Sequence, residues 1–291
     1  MRHVCCDEEV RLNSRVAAEI YLEGVPITGS AEHPCLAGEG RVIEYAVKMV
    51  QFPQQAQLDR LLDAGELRAT HIDAIAKMVA DFHRCIAVAD DSLVYGSPEQ
   101  VILPVVENFT QIRGQYSGHV EGQVWSEILD ELQHWSEKYF ISLRPLFEER
   151  KDGRYIRECH GDLHLRNLAW VADAPLAFDC IEFSDELRWI DVLNDTAFLV
   201  MDLMERNRPD LAHGFLSAYL ERSGDYQDLD LLRFFLVYRS LVRAKVALLM
   251  AALPRALHGA MTLASTRCQS QLDRALRLST PQTPTLLMVL G

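Results

Sequence analysis

The chain has 291 residues, 49% of them hydrophobic, enough for one large core or two small ones at the usual ~150 residues per domain. Lys and Arg number 29 against 42 Asp and Glu, for a net charge of −13. That balance argues against partners that need clustered basic residues, so neither nucleic acid nor an anionic membrane is expected. It leaves room for a phosphate-bearing small molecule, because a local site can be basic or recruit a metal ion.

The seven cysteines are odd in number and form no Cys-x-x-Cys pair, which reads as reduced thiols of a cytoplasmic protein. Residues 1–10 are charged and carry no apolar signal core. The most apolar run, 246–253, is far shorter than the ~20 residues of a membrane span.

In chain order, residues 8–21 place Val10, Val16, Ala17 and Ile20 at helical spacing. Residues 25–28 and 41–50 are rich in β-branched residues and bounded by Gly and Pro. They predict a hairpin turning at Gly38-Glu39-Gly40. Residues 71–88 put Ile72, Ile75, Ala76, Val79, Phe82 and Ile86 on one helical face. Residues 120–147 predict one or two further helices, interrupted at Pro145. Residues 154–159, 168–171 and 176–178 then read as short strands around a loop. Helices return over 189–206, 211–222, 229–253 and 261–278, and 285–290 is an isolated apolar strand. The predicted class is α+β with a mostly helical main lobe.

The chemistry concentrates in the middle, at His160-Gly161-Asp162-Leu163-His164-Leu165-Arg166-Asn167. Asp162 and Asn167 have the separation that protein kinases use for a catalytic Asp and a metal-binding Asn. One carboxylate orients an acceptor hydroxyl and takes its proton. An amide oxygen and a second carboxylate suit Mg²⁺, which prefers hard oxygen ligands. The second carboxylate is Asp179, twelve residues beyond Asn167 and across one strand pair. A hairpin returns the chain to where it left, so Asp179 is expected beside Asn167.

These residues, with Phe178-Asp179-Cys180-Ile181-Glu182 and Arg188-Trp189-Ile190-Asp191-Val192 with Asp195, resemble the aminoglycoside phosphotransferase family of protein-kinase-like fold. The subgroup most resembled is the phosphotransferase-like half of bacterial proteins whose other half is a P-loop ATPase. Glu8-Glu9-Val10-Arg11-Leu12-Asn13 and Glu44-Tyr45-Ala46-Val47-Lys48-Met49 fit the same subgroup. The resemblance implies Mg²⁺- and ATP-dependent phosphorylation of a small-molecule hydroxyl. It makes Asp162 the base and Asn167 and Asp179 the metal ligands. Glu9, with Glu8 as the alternative, would face an ATP-binding Lys. Tyr45 and Met49 would lie where adenine binds, His160 would brace the loop, and Asp191 or Asp195 would anchor it.

The family's phosphate-covering loop and Lys-bearing strand have no counterpart ahead of the Glu-bearing helix, and Lys48 lies on the wrong strand to serve. The resemblance therefore implies a chain truncated at both ends. Residues 1–52 would be a partial N-lobe with a remnant sheet, and 53–280 a helical C-lobe. Residues 281–291 would be a linker and first strand leading to a P-loop ATPase domain encoded downstream, a possible partner. A degenerate kinase-like module that binds nucleotide or a partner without turnover is the alternative function. Glu182 reads equally as a metal or substrate contact and as an exposed turn residue. His164 reads as a hydrogen-bonder of the loop.

Overall fold

The computed structural model describes residues 2–90, 92–116, 122–252 and 260–280. In chain order the elements are helix α1 (Arg2–Ala17), strands β1 (Tyr21–Gly29), β2 (Pro34–Leu36) and β3 (Val42–Met49), and helices α2 (Leu58–Asp63), α3 (Ala69–Cys85), α4 (Pro98–Tyr116) and α5 (Gly122–Asp152). Strands β4 (Ile156–Glu158), β5 (Leu168–Val171) and β6 (Ala174–Ala177) come next. They are followed by helix α6 (Asp185–Arg188), strand β7 (Trp189–Asp191) and helices α7 (Val192–Glu205), α8 (Pro209–Ser223), α9 (Asp230–Ala251) and α10 (Ala260–Ser279). The strand expected over 285–290 lies outside the described residues. Among the described residues, no helix is long and apolar enough to cross a membrane.

The chain divides into two compact units, residues 1–101 with 145–229, and residues 102–144 with 230–291. The described residues of the second unit are mostly helical. Within it, the Arg233 Nε–H donates to the Leu278 carbonyl at 2.6 Å, and the Trp125 indole N–H donates to Gln269 Oε1 at 2.6 Å. Both tie polar helix surfaces over a buried stripe that includes Leu129, Leu132, Leu241, Cys268 and Leu272.

The first unit holds the three small sheets found among the described residues. Strand β1 is the centre of an antiparallel sheet of order β2-β1-β3. This corrects the predicted hairpin: the chain makes a strand at Pro34–Leu36 that pairs with one edge of β1 before β3 pairs with the other. The Gly38-Glu39-Gly40 turn therefore links β2 to β3. Three residues are too few to show a period, which is why β2 left no signal. Two-stranded pairs β5–β6 and β4–β7 complete the set.

The β4–β7 pair carries a second correction. Residues 189–191 were expected to open a helix, yet they are extended and pair with Ile156–Glu158. Helix α7 starts only at Val192, because the Asp191 side chain accepts the Leu193 N–H at 2.8 Å as an N-cap. Every residue from Val192 to Leu203 is buried, so α7 is a central helix, with Asn194, Asp195, Thr196 and Asp202 as its buried polar positions. The interruption expected at Pro145 does not occur, and α5 runs through it to Asp152. The lost i→i−4 bond is offset by burial of Leu143 and Phe147 on either side.

Arg150 fixes this arrangement at one end. It is fully buried and makes bidentate bonds to Asp191 (2.6 and 2.9 Å) and to Asp225 (2.8 and 2.8 Å), with its guanidinium 3.9 Å from the Tyr155 ring centroid. One cation thus joins the end of α5, the cap of α7 and the turn after α8. Removing it would strand two buried carboxylates. The Arg150→Met variant is expected to lose about 3–5 kcal/mol of stability, read as a lower denaturation midpoint in urea. A midpoint unchanged from wild type would show that this cluster does not hold the unit together.

Candidate active site

The loop from His160 to Asn167 leaves β4 and enters β5, with little sheet to satisfy its backbone. Its amides are met by carboxylates from α7. The N–H groups of His160 and Gly161 donate to Asp195 Oδ2 and Oδ1 at 3.1 and 2.9 Å, and the N–H of Leu165 donates to Asp202 Oδ2 at 3.0 Å. Asp195 and Asp202 are seven residues apart, two helical turns, so both point from one face of α7. Each is buried, and each bond is charge-assisted. Asp195 is itself held by His83 Nε2 at 3.1 Å, whose Nδ1 lies 2.9 Å from the Tyr219 hydroxyl.

Gly161 shows how tightly the loop is packed. Its φ of +84° suits glycine, and an added Cβ would come within 2.8 Å of the Leu187 carbonyl. His160 is fully buried. Its Nε2 lies 2.9 Å from the Phe178 carbonyl and its Nδ1 accepts the Asp162 N–H at 3.3 Å. The ring thus spans the loop and the segment after β6. Anchoring of the loop N–H groups falls to Asp195, whereas Asp191 caps α7 and pairs with Arg150.

Asp162 and Asn167 meet directly. Asn167 Nδ2 donates to the Asp162 carbonyl at 3.1 Å and to Asp162 Oδ2 at 3.0 Å. This commits the amide nitrogen to Asp162 and turns the amide oxygen away from it. His164 Nε2 also lies 3.3 Å from Asp162 Oδ2, and its ring stands edge-on to Phe198. Asp162 is partly exposed, as a group meeting a substrate must be.

Asp179 is brought to the same place through its neighbours. Strands β5 and β6 form the expected hairpin, with Leu168 opposite Ala177. The N–H of Phe178 then donates to the Asn167 carbonyl at 3.0 Å, and that of Ile181 to the His160 carbonyl at 3.0 Å. Asp179 is exposed and lies between these two ties, with φ of +65°. Aspartate tolerates this left-handed region better than most residues. An amide oxygen and a carboxylate here make a hard donor pair of the kind Mg²⁺ takes, so the residues fit such an ion.

The two glutamates of α1 are in different situations. Glu8 is engaged by Arg11, whose Nε and Nη2 donate at 2.8 and 2.6 Å, and by Arg188 at 3.0 Å. Glu158 joins the same network through Arg11, Arg15 and Arg188. These ion pairs dock α1 onto β4 and α6, which no sequence pattern indicated. Glu9 is half-buried, and its carboxyl is pushed above the usual range by burial and by the charges of Glu182 and Asp179. Met49 pairs in register with Tyr21, whose hydroxyl touches Asp179, and so stands at the Asp179 end of the sheet. Tyr45 lies four positions back along β3, about 13 Å away, with its ring against His3. Lys48 is exposed and paired with Glu23 at 2.9 Å.

The raised Glu9 pKa has a defined sign. Its folded pKa exceeds the unfolded 4.5, so its contribution to stability is fully present below pH 4.5 and is lost as pH rises through the folded value. Glu9→Gln is therefore expected to raise Tm at pH 7 by about 1–2 °C, under about 1 kcal/mol after solvent screening, and to leave Tm at pH 4 unchanged. A variant equal to wild type at both pH values would remove the crowding of Glu9, Asp179 and Glu182 from the description.

No family model matches the chain. Uncharacterized proteins of Mycobacterium bovis and Mycobacterium tuberculosis are 32% identical over 251 residues, which is 84% of this chain and 47% of each relative. The chain thus spans about half the length of the curated relatives it matches. Among solved structures, a choline kinase from Cryptosporidium parvum superposes with a TM-score of 0.57 at 14% identity, covering 82% of this chain and 72% of that one. A Plasmodium vivax ethanolamine kinase gives 0.52 at 10% identity over 96% and 74% of the two chains. A glucosamine kinase solved with glucosamine, ADP and inorganic phosphate gives 0.51 at 13% identity over 94% and 68%. The likeness shows the fold: the chain has the α+β, protein-kinase-like architecture that these enzymes share.

Proposed function

We propose that this chain is the phosphotransferase part of a small-molecule kinase that moves the terminal phosphoryl group of ATP to a hydroxyl, in the manner of aminoglycoside phosphotransferases. The observation that carries the reading is the contact of Asn167 Nδ2 with Asp162 Oδ2 at 3.0 Å, in a loop whose ends are tied on both sides of Asp179. Asp162 receives the proton of the acceptor hydroxyl as the new O–P bond forms and the bond to ADP breaks. His164 and Asn167 hold its Oδ2 in place. The Asn167 amide oxygen and Asp179 are the groups that would hold Mg²⁺. When bound, the ion offsets negative charge on the nucleotide phosphates. Glu9, with Glu8 already engaged by Arg11 and Arg188, is the glutamate we assign to pairing with an ATP-binding lysine. Tyr45 and Met49 are assigned to the adenine side, and the longer relatives are compatible with a P-loop half in the full protein.

The acceptor we favour is an alcohol that carries an amine. The Tyr95 and Trp189 rings are stacked, 6.1 Å apart and 7° from parallel. The Tyr95 hydroxyl is held above its usual pKa by burial and then by Asp185 and Glu186. Aromatic faces beside carboxylates suit a cation. The choline, ethanolamine and glucosamine kinases of like fold are named for substrates of this kind.

With ATP, Mg²⁺ and a panel of amino alcohols and amino sugars, wild type is expected to transfer phosphate. Asp162→Ala should lower kcat by about 10²–10⁴-fold with little change in nucleotide affinity. Equal rates for wild type and Asp162→Ala would end the enzymatic reading. Tight Mg·ATP binding without turnover in either would favour the module that binds without catalysis.

A further inference from the structure

Four consecutive backbone N–H groups, from Phe178 to Ile181, each donate to a different acceptor outside any sheet. The outer two reach the loop: Phe178 to the Asn167 carbonyl and Ile181 to the His160 carbonyl, both at 3.0 Å. The inner two reach the front of the unit. The N–H of Asp179 donates to the Tyr21 hydroxyl at 3.2 Å, and the N–H of Cys180 to Asn13 Oδ1 at 2.9 Å. The segment is thus riveted to the catalytic loop at its two ends and to β1 and α1 in its middle.

Asn13 is an unusual residue for its position. It lies inside α1, where asparagine is a poor helix former, and it is fully buried. Both ends of its amide are used, Oδ1 by Cys180 and Nδ2 by the Glu9 carbonyl at 2.9 Å, one turn back in the same helix. A leucine there would leave the Cys180 N–H without this acceptor. Tyr21 is likewise almost fully buried, packed with Ala17, Ile20, Ala169 and Leu176. Its hydroxyl is the polar tip that reaches Asp179. These two acceptors bracket the one exposed carboxylate of the segment, at the residue whose backbone is left-handed.

We infer that Asn13 and Tyr21 are positioning residues that form a clasp, holding the backbone of Asp179 so that its carboxylate is aimed at the metal–nucleotide site. The clasp couples that site to the seating of α1: a displacement of the helix carries Asn13 away from Cys180 and leaves Asp179 held on the front side by Tyr21 alone. This inference rests on the proposed role of Asp179 as a metal ligand. The ion pairs of Glu8, Arg11, Arg15, Arg188 and Glu158 dock the same helix, so the clasp reports whether α1 is seated.

The test uses the full chain and two variants, Asn13→Leu and the milder Tyr21→Phe, with Asp179→Asn as reference. Amide hydrogen exchange is followed by mass spectrometry, and Mn²⁺ binding in the presence of ATP by electron paramagnetic resonance. Both clasp variants should exchange faster than wild type over 178–181 while α7 stays protected. Both should bind Mn²⁺–ATP about 10–100-fold more weakly, as loss of a group that supports a metal ligand does. Faster exchange with wild-type Mn²⁺ affinity would overturn the positioning role, and unchanged exchange in both variants would overturn the clasp itself. A variant that fails to fold is recognised by lost protection in α7, and Tyr21→Phe, which keeps the packing ring, then decides. If wild type and Asp179→Asn bind Mn²⁺–ATP alike, the metal reading of Asp179 is what fails, and the exchange data judge the clasp on their own.

Discussion

The loop between β4 and β5 has almost no sheet to satisfy its backbone, and it is buried. An unpaired N–H in such a place costs about 1–3 kcal/mol, so a loop of this shape persists only where acceptors are supplied. Helix α7 supplies them. Asp195 takes the His160 and Gly161 amides and Asp202 takes Leu165, from one face of a helix otherwise buried in apolar surroundings. Everything chemical in the unit stands on this support. Asp162 and Asn167 face each other because the chain between them is pinned from below.

The support is itself layered. His83, itself bonded to Tyr219, holds Asp195, and Arg150 holds Asp191 at the start of the same helix. The residues that meet solvent, Asp162 and Asp179, are therefore backed by residues that do not. A second set of charges acts from the other side, where Glu158 and Glu8 share Arg11, Arg15 and Arg188 and seat α1. Buried ion pairs of this kind add little net stability, because desolvation offsets the attraction. Their consequence is geometric: α1 has one seat, and Asn13 reaches the Asp179 segment only from it.

Acidic groups gather around the site as well as beneath it. Glu9, Asp179 and Glu182 lie close enough to raise the Glu9 pKa, and Asp185 and Glu186 crowd Tyr95. Such a field favours cations, whether a divalent ion or an amine, and is consistent with the acidic net charge of the chain.

Taken alone, the amino-acid sequence determined the α+β class, the helical regions of strong 3.6-residue period, the β5–β6 hairpin, and the spacing of Asp162, Asn167 and Asp179. Those are local facts, written in the order of neighbouring residues. Tertiary structure decided the rest. The extended Trp189–Asp191, the added strand Pro34–Leu36 and the unbroken helix through Pro145 each reverse a local preference through packing or a capping bond. Asp202 was half legible, since a carboxylate two turns from Asp195 in an apolar helix needs a partner. The contacts of Asn13 and Tyr21 with the Asp179 segment were not legible, because their partners lie 167 and 158 residues away along the chain. Periodicity reports which face of an element is buried, and only the folded chain says which donor waits there.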